Sequence, residues 1–348
     1  MPNKTKDHEN IWQDEFVLLM EKLADKDKQP PPEVGSSLKE LIYSENKLQL
    51  FHYIPLDVAQ KKLPILITYA LVNRPYIMDL EPKRSLILRL LEKGYPVYLI
   101  DWGYPDSSDR FTDLNDYING YLHRCVQQVK HHSKEEKIDL LGVCQGGVFS
   151  LCYTALHPTE IRKLVTLVTP IDFHTKNNPL TSWTSHLNTQ ALASHTGNVP
   201  AELISQLFKA IKPFQLNREK YRRLKHIINN TESLNTFLRM ERWLHDGPDL
   251  NRAAADEFLI NFYQQNKLHE NTLTIAGHAV LLNKITSPVL NLYATQDHLV
   301  PPEATRALKQ HIKPELYQEQ ALVGGHIGAF TSPRTQQTLI QSLEQGLA

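Results

Sequence analysis

Four short apolar segments constrain this chain more than anything else in it. LPILITYAL (63–71), YPVYLIDWG (95–103), KIDLLGV (137–143) and KLVTLVTP (163–170) are short and almost uniformly apolar, the pattern of strands buried on both faces. Between them lie amphipathic stretches, SLILRLLEKG (85–94) and DYINGYLHRCVQQVKHH (116–132). Strands of this kind alternating with helices predict an α/β chain with a mostly parallel, doubly wound sheet. KLQLFHYI (47–54) reads as a further strand ahead of them.

Between 173 and 283 the pattern changes to helical segments, ELISQLFKAI, YRRLKHIINN, LNTFLRMERWLHD and DEFLINFYQQNKL, with no convincing buried strand. Helices inserted late in an α/β sheet predict a helical cap. The sheet resumes with SPVLNLYATQDHLVPP, then a helix ATRALKQHI, a short strand around ELYQEQAL, a GGHIGAF loop and a closing helix TQQTLIQSLEQ. The expected organisation is therefore a polar, amphipathic arm over 1–40, a first part of the core over 41–172, a cap over 173–283 and a second part of the core over 284–348. In the arm, Ile11, Phe16, Leu19, Met20 and Leu23 have helical spacing, and QPPPEVGSS should end any helix. Such a helix fits docking to a partner and packing on its own domain equally well.

A chain of 348 residues suits one core with a large insertion. Lys+Arg and Asp+Glu are balanced at 38 each, without the basic excess that phosphate-backbone binding requires. Nucleic acid is therefore not an expected partner. The charged N-terminus is not a secretory signal, and LPILITYALV is about half of the ~20 residues a membrane span needs. A cytoplasmic protein without a transmembrane segment is expected. Cys125, Cys144 and Cys152 lack the paired spacing of a zinc site and do not form a disulfide framework. No bound metal is expected.

The chemistry concentrates at Gly142-Val143-Cys144-Gln145-Gly146-Gly147, between an apolar strand and an apolar helix. A tight strand-to-helix turn strains its central residue, projects that side chain outward and leaves no room beside it except for small residues. Cys144 would then stand at the carboxyl edge of the sheet, near the positive end of the next helix, where a thiolate is favoured. The bland reading is a small buried residue in a glycine-rich turn. Later loops weigh against it, because they supply an acid and then a histidine in the order this kind of site uses.

Asp297 lies just past a strand end in YATQDHLVPP, and His326 follows in LVGGHIGAF, where glycines allow a loop to bring an imidazole back over the sheet edge. His298 is the nearest rival for the base among 16 histidines, and Asp172, after LVTP, is a rival acid. Asp101 precedes the nucleophile, and with Trp102 and Gly103 reads as packing and a turn. Cys125 and Cys152 fall in helices and read as core residues. For a developing oxyanion, the backbone N–H of Gln145 is one donor, and the turn over Leu71, Val72 and Asn73, with Val72 at its centre, is the expected second. Asn73 and Arg74 could equally serve only to shape that turn.

A cysteine nucleophile forms a thioester, which stays nearly as activated as an acyl group on coenzyme A, so transfer between thiols is almost thermoneutral. An oxygen ester from serine would suit hydrolysis better. The cysteine points to an acyltransferase acting on thioesters, with a cysteine thioesterase or polymer depolymerase on the same triad as the alternative.

Taken together, GVCQGG, YALVNRPYIMDL, VYLIDWGYPD, DLNDYINGY, LVTPIDF, FLRMERW, FYQQNKL, DHLVPP and GGHIG resemble the polyhydroxyalkanoate synthases, in particular the short catalytic subunits of the two-subunit class III enzymes. The resemblance runs from about residue 35 to about residue 330. It implies an α/β-hydrolase core with a cap, polymerisation of (R)-3-hydroxyacyl-CoA, most simply 3-hydroxybutyryl-CoA, and release of coenzyme A, with no separate cofactor. It implies Cys144 as the acyl-bearing nucleophile, His326 as its base and Asp297 as the catalytic aspartate, which also helps activate the monomer's 3-hydroxyl. Single-chain members carry a long N-terminal extension that is not seen here, so an E-type partner subunit is implied, with homo- and hetero-oligomers and association with the polymer granule. Gln145 favours class III over class IV, where methionine is expected.

Overall fold

Apart from the edge strand at residues 39–45, the strands of the main sheet coincide with segments read as strands above. The computed structural model describes residues 32–61, 63–176, 178–185, 187, 197–211, 227 and 229–347. The expected arm helix around residues 11–23 and most of the cap helix at 221–230 lie outside the described residues. The strands are β1 (Lys39–Glu45), β2 (Leu48–Tyr53), β3 (Ile65–Thr68), β4 (Val97–Asp101), β5 (Ile138–Val143), β6 (Ile161–Leu167), β7 (Thr274–Ile275), β8 (His278–Ala279), β9 (Val289–Ala294) and β10 (Tyr317–Leu322). Eight of them form one sheet in the order β1-β2-β4-β3-β5-β6-β9-β10. From β4 to β10 the neighbours are parallel, while β2 runs antiparallel to β4 and β1 antiparallel to β2.

Alternation along the buried strands separates two core layers. Ile65 and Ile67 of β3 join Val97, Leu99, Leu141 and Val143 on one face, whereas Leu66 joins Tyr98, Ile100 and Leu140 on the other. Ile65, Leu66 and Ile67 are fully buried, each worth about 1.5–3 kcal/mol by removal from water. This is why the strands read as continuous apolar runs.

The helices between the strands are α1 (Leu86–Glu92), α2 (His123–Ser133) and α3 (Gln145–Leu156). Ser85 caps α1, its side-chain oxygen accepting the Leu88 N–H at 2.8 Å. The helix expected over 116–132 opens with a π-helical turn, Asp116–Leu122, before α2. Within 173–283 the chain forms α4 (Pro179–Thr184), α5 (Ala201–Ile211), α6 (Thr231–His245) and α7 (Arg252–Phe258), with a second π-helical turn at Leu259–Gln264. A small β7–β8 hairpin, paired Thr274 to Ala279, also lies in this stretch; with two residues per strand it carries no readable alternation. The chain closes with α8 (Pro302–Arg306), α9 (Gly328–Thr331) and α10 (Pro333–Leu347).

Two boundaries differ from the sequence reading. β1 begins at Lys39, inside the stretch read as an arm, and the sequence hides it because its first three residues are exposed. The helix read over 304–312 is α-helical only to Arg306 and continues as a tighter 3₁₀ turn, Ala307–Gln310.

Because β3, β5, β6, β9 and β10 are parallel, their C-terminal loops gather at one edge. Adjacent β9 and β10 hold their loops together through the Thr295 N–H to Leu322 O and the Gln296 N–H to Gly324 O, both 2.9 Å. Such an edge is where an open α/β sheet binds ligands.

Candidate active site

Cys144 occupies the single position between β5 and α3, at φ 54° and ψ −123°. A non-glycine residue in this region stores about 1–3 kcal/mol of strain, kept only where surroundings enforce it. The enforcement is visible. The Cys144 N–H donates to Leu167 O at 2.9 Å, and Cys144 O accepts from the N–H groups of Gly147 at 2.9 Å and Val148 at 3.3 Å. Space does the rest. A Cβ at Gly146 would stand 2.2 Å from the carbonyl oxygen of Thr68, and one at Gly147 would stand 1.9 Å from Thr169 Oγ1. These glycines are there for close approach, since their own backbones are helical.

His326 and Asp297 meet at this edge. His326 Nδ1 and Asp297 Oδ2 are 2.7 Å apart, with both side chains largely withdrawn from solvent. The other carboxylate oxygen accepts the N–H groups of Leu299 and Val300, each at 2.9 Å. The carboxylate is thus held by its own loop and aimed at the imidazole. Burial lowers the basicity of His326. The Asp297 carboxylate and then the Cys144 sulfur, by charge and hydrogen bonding, outweigh it and raise the pKa to about 10. A histidine oriented by a carboxylate and hydrogen-bonded to a cysteine sulfur is an arrangement suited to a thiol nucleophile and its base.

The rival residues are placed elsewhere. Asp172 Oδ1 accepts from the N–H of His174 at 2.9 Å and from Asn266 Nδ2 at 2.8 Å, which fixes a turn. His298 points to solvent. Asp101 pairs with Arg74, Nη2 to Oδ2 at 2.6 Å, and also accepts the Gly103 N–H. Cys125 and Cys152 are fully buried, and burial pushes both thiols far above the usual range.

At the turn after β3 the structure separates three residues treated alike in the sequence. The Leu71 N–H is already used, donating to Gln145 Oε1 at 3.0 Å. Asn73 adopts a left-handed conformation, φ 60°. Among the described residues, the N–H groups of Val72 and Gln145 have no protein acceptor. The turn is braced by Arg74, whose Nη1 donates to Gly103 O at 2.8 Å, and by Trp243 of α6, whose indole N–H donates to Arg74 O at 2.8 Å.

Several residues beside the cysteine carried no obvious sequence signal. Burial, with the Cys144 sulfur nearby, pushes the phenols of Tyr69 and Tyr263 above their ordinary range. Tyr263 comes from the second π-helical turn and packs edge-on against Phe173 at 4.9 Å. Asn266, left-handed at φ 48°, accepts the Phe173 N–H and holds this wall in place. The aromatic run in LINFYQQN was the available clue, since asparagine tolerates the left-handed region that ends such a turn.

Sheet order, elbow and the histidine–aspartate pair define the class: an α/β-hydrolase fold with cysteine at the strand-to-helix elbow. The α/β hydrolase fold family model matches residues 65–333. Solved structures agree at the level of fold. They include a carboxylesterase of Nitrososphaera gargenis (14% identity, TM-score 0.53, 88% of this chain and 97% of that one) and a monoacylglycerol lipase of Paleococcus ferrophilus (15%, TM-score 0.50, 86% and 100%).

The N-terminal model of poly-beta-hydroxybutyrate polymerase (PhaC) matches residues 19–90. The poly(3-hydroxyalkanoate) polymerase subunit PhaC of Allochromatium vinosum is 44% identical over 90% of this chain and 89% of its own length, and that of Thiocystis violacea 42% over 90% and 89%. The Synechocystis subunit is 41% identical over 91% and 85%. The chain belongs to the PhaC family of poly(3-hydroxyalkanoate) polymerases.

Proposed function

We propose that this chain is the catalytic subunit of a class III poly(3-hydroxyalkanoate) synthase, which polymerises (R)-3-hydroxyacyl-CoA, with 3-hydroxybutyryl-CoA as the monomer. The observation that carries this reading is the near full-length relationship to polymerase subunits in a chain with cysteine at the elbow.

In this reading Cys144, as thiolate, attacks the thioester carbonyl of the hydroxyacyl-CoA. The developing oxyanion is met by the N–H groups of Gln145 and Val72, donors worth about 2.7–4 kcal/mol each where they are well placed. Collapse breaks the bond to coenzyme A, whose sulfur takes the proton of the His326 imidazolium, and leaves the acyl group on Cys144. The 3-hydroxyl of the next hydroxyacyl-CoA, deprotonated by His326 with Asp297, attacks that carbonyl. An ester forms and Cys144 leaves as thiolate, ready to take up the lengthened chain and release coenzyme A. Asp297 keeps the imidazole oriented throughout.

The stretch 173–283 acts as a cap over the cysteine, and Tyr263 is part of its inner wall. The chain works with an E-type partner subunit, as homo- and hetero-oligomers, at the surface of the growing polymer granule in the cytoplasm. Among the described residues no helix is long and apolar enough to cross a membrane.

The deciding experiment supplies 3-hydroxybutyryl-CoA to the chain together with its partner subunit and follows coenzyme A release. Release with lengthening polymer is expected. Release with only free 3-hydroxybutyrate would replace the synthase by a cysteine thioesterase or depolymerase.

A further inference from the structure

We propose that Glu40, His52 and His132 form a binding site for one transition-metal dication of the zinc type, at the end of the sheet opposite Cys144. One nitrogen of each imidazole and one carboxylate oxygen lie within 4.8 Å of one another. Two imidazoles and a carboxylate are a donor set that zinc accepts, with solvent completing the shell.

The residues converge because of sheet register. Glu40 of β1 lies opposite His52 of β2, and His52 lies opposite Tyr98 of β4, so the three form one row across the sheet. His132, in the last turn of α2, closes over that row. Its ring centroid is 4.8 Å from that of His52 and its Nδ1 is 2.8 Å from the Tyr98 hydroxyl. His52 is stacked on the same tyrosine at 4.7 Å, and its Nδ1 is 2.9 Å from Glu40 Oε1.

These outer partners are what distinguish the cluster from a chance surface pairing. The buried phenol of Tyr98 fixes the ring of His132 through Nδ1, which leaves Nε2 as its free nitrogen. A ligating histidine is commonly oriented through its second nitrogen in this way. Tyr98 also restrains His52 by stacking, so little ordering is left for the ion to impose. Glu40 and His132 are exposed, so an ion reaches the site directly.

The site is remote from the chemistry. α2 ends at Ser133, just ahead of β5, whereas Cys144 follows the far end of that strand. An ion there would tie the edge strand β1, its neighbour β2 and the end of α2 together, and would stabilise the folded chain by binding it in preference to the unfolded one.

The test uses the full chain without an affinity tag, chelator-treated, carrying Cys144→Ala so that the catalytic sulfur cannot take the metal. Zn²⁺ is titrated by calorimetry, and thermal unfolding is followed with and without it. One saturable ion per chain and a raised Tm are expected. Glu40→Gln, which keeps size and hydrogen bonding to His52, and His132→Ala should each weaken binding at least tenfold and remove the Tm shift. His311→Ala, at the separate pair in which His311 Nε2 and His269 Nδ1 are 3.1 Å apart, should change neither. Absence of saturable Zn²⁺ binding at micromolar concentrations, or binding unaffected by both Glu40→Gln and His132→Ala, would overturn the proposal.

Discussion

The side-chain oxygen of Gln145 accepts the backbone N–H of Leu71 at 3.0 Å, joining the first turn of α3 to the turn after β3. In the proposed mechanism the residue that offers one oxyanion donor therefore also holds the neighbour of the second, Val72. Gln145→Leu keeps the volume but leaves a buried N–H unpaired, at about 1–3 kcal/mol. We expect kcat to fall by about ten- to a hundredfold with KM little changed, because the lost alignment matters mainly in the transition state. A change confined to KM would contradict this role for the Gln145–Leu71 bond.

Cys144→Ala should abolish formation of the acyl-enzyme from 3-hydroxybutyryl-CoA, read by intact-protein mass spectrometry, and Cys144→Ser should retain at most a trace. Cys125→Ala and Cys152→Ala should still acylate, since both thiols are fully buried and burial pushes them far above the usual range. Acylation surviving in Cys144→Ala would move the nucleophile elsewhere.

Asp297→Asn keeps the Oδ1 acceptor for the Leu299 and Val300 N–H groups but removes the charge facing His326. Single-turnover acylation should suffer less than elongation, if the carboxylate matters most when the 3-hydroxyl must lose its proton. Equal loss in both steps, measured by rapid quench, would argue against that division. Asp172→Asn should affect neither step selectively, because Asp172 is occupied with His174 and Asn266.

The pH dependence of stability follows from His326. Its pKa is raised from 6.5 to about 10 in the folded chain, so the folded state holds a proton that the unfolded state releases. The associated stability is complete below pH 6.5 and declines as pH rises through about 10. Urea unfolding at intervals across this window should show a falling midpoint, and His326→Gln should flatten the fall. An unchanged slope in the variant would assign the effect to other groups.

Gly147→Ala should destabilise the chain by about 1–3 kcal/mol through overpacking, because the new methyl would meet Thr169 Oγ1. Thr169→Ala should recover part of that loss when combined with it. Strict additivity of the two changes in denaturant unfolding would show that the clash is relieved by some other movement.

Much of the fold was legible because a strand buried on both faces must be largely apolar, and β3, β4 as far as Ile100, β5 after Asp139 and β6 from Leu164 are. β1 was not, since an exposed edge strand has no such pattern. The elbow was legible for a local reason: a tight turn with helix backbone packed on strand backbone demands glycine at 142, 146 and 147. The brace from Trp243 to Arg74 was not, because it joins residues 169 positions apart.

The sequence by itself determined the nucleophile candidate, the order cysteine, aspartate, histidine, and the strand–helix alternation, because these depend on local sterics and on which residues can enter a core. Only the tertiary structure decided which acid faces His326, which N–H groups stay unpaired and which histidines meet. Asp297 and Asp172 follow strands that look alike in sequence. The adjacency of β9 and β10 sets Asp297 beside the histidine loop, and the register of β1, β2 and β4 sets Glu40, His52 and Tyr98 in one row. Strand order and register are settled by packing across the whole sheet, and no single segment encodes them.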